Sequence, residues 1–134
     1  MAAAREKIGT FRTPTLRNVA RGENSNGAGK GKRFMHNGIF RTLEEVIHFY
    51  NTRSVPGEGW NTKTNTAAKG DGWRPWGTPE YAATMVPNDE VGKLGLSARQ
   101  EKAIVAFLRT LSDTRDVLPP PPYSAAVTPA QIAN

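Results

Sequence analysis

Residues 34–51 read FMHNGIFRTLEEVIHFYN, and the second half of this stretch carries the clearest helix signal in the chain. Thr42 is suited to the N-cap, Glu45 three residues later completes a capping box, and the acidic residues face the positive end of the helix dipole. The face predicted to pack on the rest of the domain consists of Leu43, Val46, Ile47 and Tyr50, which have the helical spacing i, i+3, i+4 and i+7. We therefore predict a helix from Thr42 to Asn51 whose apolar face includes the Tyr50 phenol.

Residues 97–112, SARQEKAIVAFLRTLS, predict a second helix. Ser97 and Gln100 have the spacing of a capping box. The apolar stripe expected to pack on the rest of the domain is Ile104, Phe107, Leu108 and Leu111. Two amphipathic helices and no clear strand pattern predict a mainly α fold.

Long irregular segments separate and flank these helices. Residues 9–19 lack a helical period and read as an extended segment, and residues 21–33 are a basic, Gly-rich flexible loop. Residues 52–87 form a long irregular excursion, in which Trp60, Trp73 and Trp76 are interpreted as packing residues. Four consecutive prolines follow Leu118, so residues 114–134 are predicted to be an extended Pro-rich tail after a domain spanning residues 1–113.

The composition narrows the possible functions. The 134 residues include 13 Gly and 10 Pro and are 37% hydrophobic, which is a thin supply of core side chains for one domain. Cysteine is absent, so this chain offers no disulfide, thiolate metal site or thioether attachment for haem. No segment has the apolar length of a signal peptide or a membrane span. The net charge of +6 is concentrated before the first histidine, where a basic arm could meet nucleic acid or an acidic protein.

Four strings carry a resemblance to one protein family: GTFRTPTLRNVA at residues 9–20, FMHNGIFRTLEEVIHFYN at 34–51, EVGKLGLS at 90–97 and EKAIVAFLRTLSD at 101–113. In this order they resemble the second haem domain of the bacterial di-haem cytochrome c peroxidases, including MauG-like enzymes. The resemblance implies the C-terminal portion of a cytochrome c-like haem domain. In the family that domain begins with a Cys-x-x-Cys-His segment, which is missing here, so the gene is split or the chain is a piece of a longer polypeptide.

The resemblance also assigns roles to individual residues. The position of the distal axial haem ligand, Met in typical peroxidases and Tyr in MauG, is occupied here by Tyr50. Met35 is a competing thioether donor, although its position varies between Met and Phe in the family, which favours packing. His36 is expected at the haem edge or a propionate, orienting it by hydrogen bonding.

The arginines of the first matched string have an implied role as well. Arg17 and Asn18 match the segment that lines the haem and its propionates, and Arg12 is a further guanidinium that could neutralise carboxylate charge. His48, four residues after Glu44, is expected to form a surface pair with it. The family also binds calcium between its domains, but the stretch before His36 is Gly-rich and longer here, so its ligands do not transfer.

The leading functional hypothesis is part of a c-type di-haem peroxidase or oxidase. The chain would supply the distal side and axial ligand of a haem c attached to a missing segment or a partner polypeptide, and it would be inactive alone. Expected partners are a polypeptide with Cys-x-x-Cys-His haem sites and a redox partner protein, with no nucleic acid, and the family implies a periplasmic location. The alternative is a haem-less assembly or binding subunit of a larger redox complex.

Overall fold

A computed structural model of the chain describes residues 8–23, 31–79, 81–85 and 90–113. These residues contain helix α1 (Leu43–Thr52), strands β1 (Gly59–Asn61) and β2 (Trp73–Pro75), a 3₁₀ helix (Ala82–Thr84) and helix α2 (Ala98–Thr110). The two strands pair antiparallel, with Trp60 opposite Arg74. The structure therefore combines two helices with a small sheet, and it does not confirm the mainly α class expected from the sequence.

Both helices begin at the predicted N-caps. The Thr42 hydroxyl accepts the Glu45 backbone N–H, and Ser97 and Gln100 form the complete capping box of α2. The Glu45 carboxylate differs from the prediction, because it accepts the backbone N–H of Arg41 at 2.9 Å and not that of Thr42. These bonds satisfy N–H groups that a helix start or the turn before it leaves free.

A small hydrophobic core joins the two helices to the turn before α1. Its buried members are Phe34, Phe40, Leu43, Val46, Val105 and Leu108. Phe34 and Phe40 enter it as a β-bridge pair that closes the MHNG turn. The core is thus built largely from the two strings that carry the strongest sequence signals.

The predicted packing face of α2 is partly wrong. Phe107, expected in the apolar stripe, is 59% exposed, whereas Val105 is 2% exposed and takes its place in the core. Leu108 is buried as predicted, and Ile104 and Leu111 pack partly against the core. Helical spacing identifies the residues that share a face of α2. Which of these residues are buried depends on how α2 packs against α1.

The end of α1 is held by the segment that precedes α2. Gly92 donates its N–H to the Tyr50 carbonyl, Leu94 donates to the Asn51 carbonyl at 3.1 Å, and Ser54 donates to the Gly92 carbonyl at 2.9 Å. Gly92 is buried with φ +102°, and a Cβ there would lie 2.7 Å from the Arg53 and Ser54 side chains. Only glycine fits this close approach, so the EVGKLGLS string fixes the backbone that carries Tyr50.

The predicted loop and tail lie largely outside the described residues. This holds for most of the 21–33 loop and for the whole Pro-rich tail at 114–134. The 9–19 segment is mostly exposed and lacks regular secondary structure up to residue 16, in agreement with the predicted extended segment. No helix in the described ranges is long and apolar enough to cross a membrane.

Candidate functional site

The candidate site is a cleft of about 940 Å³ beside the MHNG turn. Its walls come from the 8–11 segment, the turn at 35–40, helix α1, both strands and the segment after β2. The lining includes six aromatic side chains: Phe11, Phe40, Phe49, Trp60, Trp76 and Tyr81. A large, mostly apolar cleft with a few polar groups is the usual form of a cofactor or ligand site.

Several apolar side chains of this cleft are exposed. Phe11 is 64% exposed, Ile39 is 61% exposed and Ile8 is 46% exposed. Removing apolar surface from water is favourable by roughly 25 cal/mol for each Å². The cleft therefore presents an exposed apolar surface suited to a hydrophobic group.

Met35 and Tyr50 meet beside the cleft. The Tyr50 hydroxyl donates a hydrogen bond to Met35 Sδ over 3.9 Å. Met35 is half-buried and lines the cleft, whereas Tyr50 is 37% exposed and is not among the lining residues. The sequence placed Tyr50 on the packed face of α1, but the structure leaves its phenol accessible to a partner group.

His36 follows Met35 and also lines the cleft. Its imidazole stacks on the Phe11 ring with a centroid distance of 4.0 Å and an interplanar angle of 18°. Both rings are exposed. This contact brings the first matched string, GTFRTPTLRNVA, against the MHNG turn, so two distant parts of the chain form one wall.

The three remaining predicted residues do not line the cleft that contains Met35 and His36. Arg17 and Asn18 line a second, smaller pocket of about 320 Å³ at the end of α2. Asn18 Oδ1 accepts the Asp113 backbone N–H at 2.6 Å, and the Asn18 N–H donates to the Leu111 carbonyl at 3.0 Å. Arg12 is exposed and lines neither pocket. Within this chain, therefore, the structure does not bring the three residues into the cleft.

Glu45 lines the cleft, although the sequence predicted only a capping role for it. Its side chain is buried, with 6% of the residue exposed, and burial raises its pKa above the ordinary value of 4.5. The hydrogen bond from the Arg41 N–H and the charges of Arg41 and Arg33 oppose this rise without cancelling it. The sequence shows that Glu45 lies one turn before Phe49 on the same face of α1. It does not show that the cleft opens on this face.

His48 corrects the prediction of a surface pair with Glu44. It is 7% exposed, and its Nδ1 lies 2.9 Å from Glu101 Oε1 on α2. Its ring contacts those of Trp60 and Trp76, with centroid distances of 5.4 and 6.0 Å. The helical spacing that suggested Glu44 could not reveal a partner 53 positions further along the chain.

The tryptophans have packing contacts, in agreement with their interpretation from sequence. Trp60 is 6% exposed, and Trp76 packs against the core with its indole N–H donating to the Thr52 hydroxyl at 3.0 Å. Trp73 lies under the Lys69 ammonium at 5.4 Å. In the described part of the chain, no group of three or more His, Asp or Glu side chains could hold a metal ion, so the calcium implied by the resemblance has no support there.

Comparison with known proteins defines the class to which these features belong. No protein-family model matches the chain, and no solved structure matches it. Two curated proteins do: the methylamine utilization protein MauG of Paracoccus denitrificans, 37% identical over 109 residues, and the cytochrome-c peroxidase IdrP1 of Denitromonas iodatirespirans, 32% identical over 111 residues. The matches cover 80% and 83% of this chain but only 24% and 20% of the relatives.

These similarities confirm the relationship inferred from the four strings. The chain is related to the cytochrome c-type peroxidases, and within that class to the di-haem cytochrome c peroxidase and MauG group. It spans about a quarter of the length of one relative and a fifth of the other.

Proposed function

We propose that this chain forms the distal wall of a c-type haem site and supplies Tyr50 as the axial ligand, within a di-haem peroxidase or oxidase. The haem c would be attached to a Cys-x-x-Cys-His segment on another polypeptide or on a part of the protein outside this chain. The assembly would act in peroxide-dependent oxidation or in electron transfer, and the periplasm is its proposed location. The observation that carries this proposal is the exposed Tyr50 phenol beside Met35, at the edge of an exposed apolar cleft.

The residues present fit a haem. A phenol oxygen and a thioether sulfur, both known axial ligands of haem iron, lie 3.9 Å apart. Phe11 and Ile39 would pack on the apolar porphyrin faces and edges, and the exposed His36 imidazole can donate a hydrogen bond to a carboxylate. Arg74 is exposed, lines the same cleft and offers a further cation.

A bound haem would supply the redox chemistry, and the chain's own residues would set its conditions. Tyr50 would offer a hard, anionic phenolate oxygen, which favours ferric over ferrous iron and lowers the potential. The aromatic lining would exclude water from the face that it covers. The domain proposed to do this spans residues 1–113. Arg17, Asn18 and Arg12 do not line the cleft, so any contact of theirs with propionates would lie outside it.

A haem peptide that keeps the Cys-x-x-Cys-His segment and its proximal histidine tests the proposal directly. Titrating the full chain into the ferric peptide should shift its absorption spectrum to that of a histidine–phenolate complex. Tyr50→Phe removes the donor oxygen and should abolish this shift. An unchanged spectrum with the wild-type chain would refute haem binding, and an equal shift with Tyr50→Phe would refute ligation by Tyr50.

Tyr81→Phe is the matched control, because Tyr81 lines the cleft beside which Tyr50 lies and has a similar exposure of 36%. This variant should leave the spectral shift intact. The alternative, a haem-less assembly subunit, predicts that the chain binds its partner polypeptide equally well with and without haem. Haem staining and intact mass of the native assembly separate the two functions.

A further inference from the structure

We infer that Met35 is a second axial ligand, which replaces Tyr50 when the haem iron is reduced. This inference rests on the proposed function, since it concerns the same haem position. Tyr50 would hold the ferric state and Met35 the ferrous state. The site would then contain a redox-linked ligand exchange between two side chains of one chain.

The first observation is that the two donor atoms are neighbours. Tyr50 Oη and Met35 Sδ are 3.9 Å apart and joined by a hydrogen bond, so a metal that reaches one is close to the other. Tyr50 stands on a helix end held by the Gly92 and Leu94 backbone bonds. Met35 has an unbranched side chain with three rotatable bonds, so its sulfur can move while the phenol position stays defined.

The second observation is the backbone of Met35. Its φ is +66°, in the left-handed region that residues with a side chain rarely adopt. The turn is held by the Gly38 N–H bonded to the Met35 carbonyl and by the Phe34–Phe40 bridge. A strained backbone of this kind is kept only where the surrounding contacts stabilise it, and it is common at functional sites. At this position, beside the cleft, the chain has a methionine, although glycine or asparagine adopts such a φ more easily.

The chemistry of the two donors gives the exchange its direction. A phenolate oxygen is a hard anion that prefers ferric iron, whereas a thioether sulfur is soft and neutral and prefers ferrous iron. On reduction by a one-electron donor, the Tyr50 oxygen would release its bond to the iron and take a proton from water, leaving hydroxide, to become a phenol. The Met35 sulfur would then donate a lone pair to the vacated position. Oxidation would reverse each step, and the phenol would return its proton to the hydroxide.

The test compares wild-type chain, Met35→Leu and Tyr50→Phe, each bound to the same haem peptide in the ferric and the dithionite-reduced states. Met35→Leu should leave the ferric spectrum unchanged, because Tyr50 ligates there. Its ferrous complex should lose the thioether ligand and bind carbon monoxide about tenfold faster or more. A tenfold loss of ferrous-state affinity would lower the midpoint potential by about 60 mV for this one-electron couple.

Met85→Leu is the control, since Met85 lines the same cleft without a described contact to Tyr50. It should behave as the wild type in both states. Leu and Met have similar volumes, so Met35→Leu should keep its fold, and circular dichroism checks this. The double variant Met35→Leu, Tyr50→Phe should show no sixth ligand from the chain in either state.

The outcomes separate this inference from the proposed function. If Tyr50→Phe abolishes the ferric shift while Met35→Leu leaves the ferrous spectrum, carbon monoxide rate and potential unchanged, the exchange is refuted and Tyr50 ligation stands. If the wild-type chain does not change the ferric spectrum at all, the proposed function itself fails.

Discussion

Glu45 illustrates how the fold changes the behaviour of a single side chain. Its carboxylate is buried at the cleft and accepts the Arg41 N–H, and its pKa is raised because burial outweighs the neighbouring cations. A raised folded-state pKa means that the folded protein binds the proton more tightly than the unfolded chain does. The stability that this group contributes is therefore fully present below the ordinary pKa of 4.5 and is lost as the pH rises through the folded-state pKa.

Glu45→Gln should remove this dependence. The amide oxygen can still accept the Arg41 N–H, but the side chain no longer ionises. Urea unfolding of both proteins across the pH range should show the variant gaining stability relative to the wild type as the pH rises from about 4 to neutrality. A relative loss of stability at neutral pH would show instead that attraction to Arg41 and Arg33 outweighs the cost of burying the charge.

At the scale of elements, the residues of α2 that are buried differ from the apolar stripe predicted for it from the sequence. Leu108 lies in the core shared with α1, whereas Phe107, its neighbour in sequence, is 59% exposed. The contact between the helices also includes the polar pair His48 and Glu101, and Asn51 Nδ2 donates to Glu101 Oε1 at 2.6 Å. Buried polar groups of this kind fix the relative position of two helices because each needs its partner.

The pair Leu108→Ala and Phe107→Ala tests this assignment. Leu108→Ala should lower the free energy of unfolding by about 2–5 kcal/mol, because it opens a cavity in the core. Phe107→Ala removes a larger side chain but should change stability by less than about 0.5 kcal/mol. Chemical denaturation of the full chain measures both. An equal loss of stability in the two variants would contradict the exposure of Phe107.

At the scale of the molecule, Glu23 ties the segment before it to both helices. Its Oε1 accepts the Leu43 N–H at the start of α1, and its Oε2 accepts from Arg109 Nε at 3.2 Å. Arg109 in turn donates to Glu44 Oε1 at 2.7 Å. This network holds the residues of the first matched string near the end of α2, and the string also contributes Phe11 to the cleft.

Glu23→Ala should therefore loosen the segment as well as destabilise the fold. Losing the acceptor of a part-buried N–H should cost about 1–3 kcal/mol. Hydrogen exchange should increase at the backbone N–H groups of Asn18 and Arg21, and the Phe11–His36 contact should weaken. Glu90→Ala, at an exposed glutamate, serves as the control and should change neither quantity. Unchanged exchange in Glu23→Ala would show that the backbone hydrogen bonds of residues 16–23 hold the segment in place without the Glu23 side chain.

The sequence by itself determined the two helices, their N-caps at Thr42 and Ser97, and the relationship to the di-haem peroxidase group. The helices and their caps depend on residues close together in the chain, where capping bonds and helical spacing act locally. The relationship depends on four matched strings in a fixed order along the chain. Only the tertiary structure decided that His48 is buried beside Glu101, that Phe107 is exposed, and that Arg17 and Asn18 do not line the cleft that contains Met35 and His36. Each of those outcomes depends on a partner distant in sequence, and a periodic pattern carries no information about which distant surface will cover it.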